Sequence, residues 1–157
     1  PDFNYGINLS GSYKRLDANL FFQGVGGVER VNTARRGGEN MEGLGSNQWT
    51  TVLDRWTPNN PSNSVPRAVR GDPGNNNQFS DRWVEDASFL RLKNFQVGYT
   101  LPPKFLNGLG AGSTRYRIYV SGRNLFTITD WTGLDPEINF AEVPLPRAFV
   151  FGIQADL

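Results

Sequence analysis

Cysteine and histidine are both missing from these 157 residues. Without cysteine there is no disulfide framework, no thiolate nucleophile and no thiolate metal site, and nothing marks the redox compartment. Without histidine the chain holds no Ser-His-Asp or Cys-His arrangement and no imidazole ligand. Charge of one sign is scarce too, since 16 basic against 15 acidic residues leave a net +1. That balance offers no electrostatic footprint for nucleic acid or an anionic membrane surface. No apolar run approaches the ~18 residues of a spanning helix. The chain opens without Met and without the basic-then-apolar start of a signal peptide, so it reads as a piece of something longer. Glu85 and Asp86 are adjacent and would point to opposite faces of a strand. A glycosidase pair must instead face across a gap of about 5–9 Å. These lacks predict no enzyme, no metal site and no cofactor.

Glycine, proline and aromatic residues are plentiful, at 18 Gly, 10 Pro and 13% aromatic, which points to β structure with many turns. Five stretches alternate apolar and polar residues with the strand period of two. They are "FNYGINLS", "RLDANLFFQ", the second half of "RWVEDASFLRLKNFQVGYTLP", "RYRIYVSGRNLFTIT" and "AFVFGIQADL". In the third, Phe95, Val97, Tyr99 and Leu101 oppose Asn94, Gln96, Gly98 and Thr100. The alternation alone does not say whether the apolar side meets a core or lipid.

The connections discriminate. Residues 11–14 and 102–113 form short links, whereas 24–81 and 130–146 are long ones, so short and long alternate along the chain. Transmembrane barrels segregate their loops this way, with short turns at one end and long extracellular loops at the other. A soluble sandwich has no reason to, and a long irregular loop is uncommon in a compact domain. About ten residues at ~3.3 Å each, tilted near 45°, climb roughly 23 Å, close to the ~25 Å apolar band of an outer-membrane barrel. Tyr5, Tyr99, Tyr116, Phe126 and Trp131 sit near strand ends, where interface girdles belong. In "SFLRLKN", however, Arg91 and Lys93 share the parity of Phe95 and Val97. Either the strand projects beyond the membrane there or a bulge flips the parity. Projection is the expectation, because a charge at the bilayer midplane costs about 2–4 kcal/mol.

"RWVEDASFLRLKNFQVGYTLP", "YRIYVSGRNLFTITDWTGLDPE" and the terminal "PRAFVFGIQADL" resemble the C-terminal end of SusC/RagA-type TonB-dependent transporters. "PDFNYGINLSGSYKRLDANLFFQGVGG" and "DRWTPNNPSNSVPR" match the preceding part of that pattern in the same order, so the resemblance covers nearly the whole chain. One departure is Leu157, since an aromatic residue is usual at the end of outer-membrane barrels. The resemblance implies an all-β, transmembrane antiparallel β-barrel of 22 strands, with residues 1–157 supplying the last five. It also implies location in the bacterial outer membrane and TonB-dependent import of glycan or peptide oligomers. The partners implied are the rest of the barrel and its plug, a SusD-like surface lipoprotein, the TonB complex through sequence absent here, the oligomeric substrate and outer-membrane lipid.

Trp49, Trp56, Arg67 and Trp131 are the expected substrate- or lid-contact residues, because they sit in the long loops. For each tryptophan a loop-packing or interfacial role is the plainer account. "GDPGNNN" (71–77) looks oxygen-rich but lacks the spacing and terminal Glu of a calcium loop, so a turn is expected. The competing architecture is a soluble β-sandwich carbohydrate-binding module with Trp49, Trp56, Trp83 and Trp131 as stacking platforms.

Overall fold

The computed structural model describes residues 1–40, 47–102, 115–138 and 143–156. The connection 102–113 therefore lies almost wholly outside the described residues, as does Leu157. The chain divides into two units, Pro1–Val28 with Ser88–Thr129 and Pro144–Leu157, and Glu29–Ala87 with Asp130–Val143.

The first unit is one antiparallel sheet. Strands β1 (Phe3–Tyr13) and β2 (Leu16–Gly26) form a hairpin whose turn places Lys14 at φ 57. The small units β3 (Glu29–Val31), α1 (Thr33–Glu39) and β4 (Val84–Asp86) follow in the chain before β5 (Phe89–Thr100). Then come β6 (Arg115–Arg123), β7 (Thr127–Thr129) and β8 (Ala148–Asp156). The sheet runs β1-β2-β5-β6-β8, with β7 also on β5, so β1 and β8 are its edges.

Register sorts the side chains into two faces. Leu9, Leu20, Phe95 and Gly122 lie opposite one another across neighbouring strands, as do Ala18, Val97, Val120 and Phe151. This face is apolar and open: Leu9 is 53% exposed, Phe149 65%, Phe151 82% and Ile153 74%. Tyr5 and Phe3 lie across Gly24 and Gly26 on it, where a Cβ would fall 2.1 and 2.3 Å from the rings. The other face carries Asn8, Asn19, Asn94, Gln96, Ser121 and Arg117.

Projection is the expectation for the charges in "SFLRLKN", but the pairing shows the alternative, a bulge. Phe21 pairs with Asn94 but Phe22 pairs with Leu92, so Lys93 is the extra residue. Leu90 and Leu92 thereby join the apolar face, while Arg91 turns to the face of Gln23 and Thr127. The fourth sequence stretch breaks opposite the same place, at Asn124 (φ 52), whose N–H bonds to Lys93 O at 3.1 Å. The parity flip is what lets an Arg-Leu-Lys sequence continue one apolar face.

The second unit has its own small core around Trp83, which is fully buried and donates its indole N–H to Gln78 O at 3.0 Å. Asn32 caps α1 by accepting from Arg35 N at 2.9 Å. β3 and β4 make a two-stranded ribbon. A ribbon of three-residue strands is too small to be the second layer of a sandwich. Buried Trp83 cannot be a stacking platform, which corrects that role for it.

Candidate functional site

On the polar face of the sheet, contacts run from strand to strand. Asn19 Nδ2 donates to Asn8 Oδ1 at 3.1 Å. Arg117 Nε donates to Asp17 Oδ1 at 2.9 Å, and its Nη2 contacts the other carboxylate oxygen. To do so the guanidinium crosses β5 at Gly98, where a Cβ would meet Nη2 at 2.2 Å. The Gln96 amide, turned with its oxygen toward Arg117, accepts at 2.9 and 3.1 Å. Tyr119 lies over Gly152 in the same manner. Glycine on two strands thus makes room for long polar side chains lying flat along the wall.

In the second unit Glu85 joins three segments. Its carboxylate accepts from Asn32 Nδ2 at 3.0 Å, Arg35 Nη1 at 2.9 Å, and Thr132 N and Oγ1 at 3.1 and 2.7 Å. Removal from water pushes this carboxyl up, but the bonds from Thr132, Asn32 and Arg35 outweigh that and hold it below the usual range. Arg35 also bonds Glu39 at 3.1 Å, and the two carboxylates hold its proton more tightly despite burial. Thr51 Oγ1 donates to Glu39 Oε1 at 2.8 Å. Close by, a cavity of about 320 Å³ is lined by Arg30, Asn32, Trp131, Leu134, Asp135 and Ile138 among others. Arg30 stacks on Trp131 at 5.9 Å and donates to Pro136 O at 2.5 Å. Among the described residues no group of three or more acidic side chains is placed to hold a metal. In "GDPGNNN" the Asp72 oxygens accept from Asn76 N and Asn77 N, both at 2.8 Å, so the segment is a hydrogen-bonded turn.

No family model matches the chain. Among curated proteins, TonB-dependent receptor P3 of Formosa agariphila is 41% identical over 144 residues, covering 89% of this chain and 13% of that protein. TonB-dependent receptor SusC of Bacteroides thetaiotaomicron is 36% identical over 95 residues, covering 57% of this chain and 9% of its own length. Among solved structures, the RagAB peptide importer in its "open-open" state superposes with a TM-score of 0.82 at 32% identity, covering 98% of this chain and 17% of that one. The "closed-closed" state gives 0.82 and 33%. The chain belongs to the SusC/RagA-type TonB-dependent receptors. It spans 13% of the length of TonB-dependent receptors P3 and P26 of Formosa agariphila.

These relatives are named as receptors and importers, and in this SusC/RagA-type chain Glu85 is a junction between segments. Glu85 is engaged by three neighbours and does not face a second carboxylate among its bonded partners. The tryptophans are dispersed. Trp49 packs its ring against Gly38 and bonds Gly38 O through its backbone N–H at 2.8 Å. Trp56 stands at the mouth of a loop closed by its own N–H to Val65 O at 3.0 Å. Arg67 is exposed beyond that loop. Of the four, Trp131 lines the cavity. Sequence reasoning missed Arg30, Asn32 and Glu85 as a group, because their partners lie 50 to 106 positions away.

Proposed function

We propose that residues 1–157 form the last five strands of a 22-stranded outer-membrane barrel that imports oligomers in a TonB-dependent manner. The observation that carries this reading is the open apolar face of a sheet whose opposite face is lined with amides and an ion pair. An apolar face of that extent on a water-soluble protein would be an aggregation surface; against lipid it is at home. In this arrangement the amide face lines the lumen and the bulge at Lys93 keeps Arg91 out of the bilayer. Residues 24–81 and 130–146 lie at the extracellular end, beside a SusD-like lipoprotein. Trp49, Trp56, Arg67 and Trp131 are there to touch lid or substrate, which is a glycan or peptide oligomer. The plug and the segment that engages TonB belong to the remainder of the receptor.

Spin labels in the full-length receptor test the facing. Labels at Leu20, Val97, Ile118 and Phe151 are expected to be relaxed by oxygen in lipid, and those at Asn19, Gln96 and Ser121 by a water-soluble agent. The opposite pattern sinks the barrel reading. Contact by the loop is tested by removing Thr57–Ser64, whose flanks Trp56 and Val65 already meet at 3.0 Å. The shortened receptor should still assemble and shift on heating, yet lose the lipoprotein partner or growth on the cognate oligomer. Unchanged uptake and co-purification would make the loop a cover only.

A further inference from the structure

The polar face holds a second concavity of about 320 Å³, bounded by Asn8, Asn19, Phe21, Asn94, Ser121 and Arg123. Arg117 shows how a guanidinium on this face is satisfied, by Asp17 and Gln96. Arg123 stands on the same strand with the same parity and is exposed, yet it has no hydrogen-bond or ion-pair partner among the described residues. The Asn94 and Ser121 side chains beside it also make none. Among the described strand residues of this face, the carboxylate nearest in register is Asp17, paired with Gly98, four residues along β5 from the Asn94 that pairs with Arg123. At ~3.3 Å per residue that is about 13 Å, longer than the ~8 Å over which exposed charges interact at physiological salt.

We propose that this concavity binds an acidic segment of an imported peptide, with Arg123 forking its carboxylate. The inference rests on the lumenal assignment of the face made above. A guanidinium with five fixed donors matches a carboxylate bidentately. The Asn94 carboxamide offers one acceptor and two donors, and Asn8 and Asn19 keep amide N–H groups beyond the bond between them, which complement the C=O and N–H of a peptide group. Sugars are the poorer match. The lining aromatics are Phe21, whose ring edge packs against Gly6, where a Cβ would sit 3.2 Å from it, and Phe95, which has the parity of the apolar face, whereas sugar sites present a broad indole or phenol face.

The test uses the full-length receptor purified with its lipoprotein partner. The probes are a hexapeptide with two glutamates, its glutamine counterpart and a tetragalacturonate. The glutamate peptide should bind about tenfold more tightly than the glutamine peptide, as expected for one charge-assisted pair. Arg123→Gln should erase that preference and Arg123→Lys should keep part of it. The same peptide should shield Arg123 from phenylglyoxal. Equal binding of the two peptides, a preference for tetragalacturonate, or an Arg123 already unreactive without probe each overturns the peptide site. Arg123→Cys must react with a membrane-impermeant maleimide while Val120→Cys does not. Failure there would overturn the lumenal assignment and the site with it. Successful labelling of the Arg123→Cys variant, with no peptide preference in the wild type, would overturn the site alone.

Discussion

Single residues on the polar face are decided by what glycine leaves open. Gly98 is buried in the strand between Asp17 and Tyr119, and the Arg117 side chain occupies the space where a Cβ would be. The clash is with the end of a flexible side chain, so Gly98→Ala is accommodated by moving Arg117 away from Asp17. Alanine also recovers some strand stability that glycine lacks. The net expectation is a loss below about 1 kcal/mol, since the Asp17 side chain is 38% exposed and such pairs are worth little in water. Coupling is the sharper readout. Gly98→Ala should cost nothing further in a receptor that already carries Asp17→Asn, because both remove the same contact. Fully additive losses in the urea midpoint of the heat-modifiable form would show that Gly98 matters for some other reason.

At the scale of elements, the strands were legible and their interruptions were not. Period-two alternation placed all five main strands, because the pleat leaves a mark in every second residue. The bulge at Lys93 leaves only the misplaced parity of Arg91 and Lys93, which projection would explain as well, and it is the pairing of Phe22 with Leu92 that reveals the skipped residue. Nor could 24–81 be read as β3 and a short helix, whose stability comes from distant partners such as Glu85 and not from local propensity. Glu85 gives that unit a pH dependence with a definite sign. Its carboxyl is held below the ordinary range, so its contribution is present above the unfolded value near 4.5 and is lost as pH falls through the lower folded value. Glu85→Gln should therefore cost about 2 kcal/mol locally at neutral pH and progressively less on acidification. Hydrogen exchange of residues 130–138 is the measure: faster in the variant at pH 7, converging with wild type in acid after correction for intrinsic rates. A difference that persists unchanged in acid would show that the carboxylate charge is not what pins Thr132.

For the whole molecule the decisive feature is the pair of open edges. Among the described residues, β1 offers 11 residues and β8 offers nine with no strand on their outer sides. In hydrocarbon each unpaired N–H or C=O costs several kcal/mol, so a sheet open at both edges cannot sit in a bilayer by itself. In water the same sheet would present Ile7, Leu9, Phe149, Phe151 and Ile153, all at least 46% exposed, beside edges ready to pair with another copy. Both solvents are therefore closed to the isolated sheet, and the remaining way to satisfy it is more strands. The relatives are several times longer, as 13% coverage of the curated proteins requires, and their additional sequence is where those strands would come from. Residues 1–157 produced alone are thus expected to aggregate in detergent and to give no heat-modifiable band. Co-expression with the rest of its receptor as a separate polypeptide should restore both solubility and heat-modifiability, since the edges then find partners. A monodisperse, cooperatively unfolding monomer of the 157 residues would show that the edges are tolerated, and the argument from open edges to a larger barrel would fall.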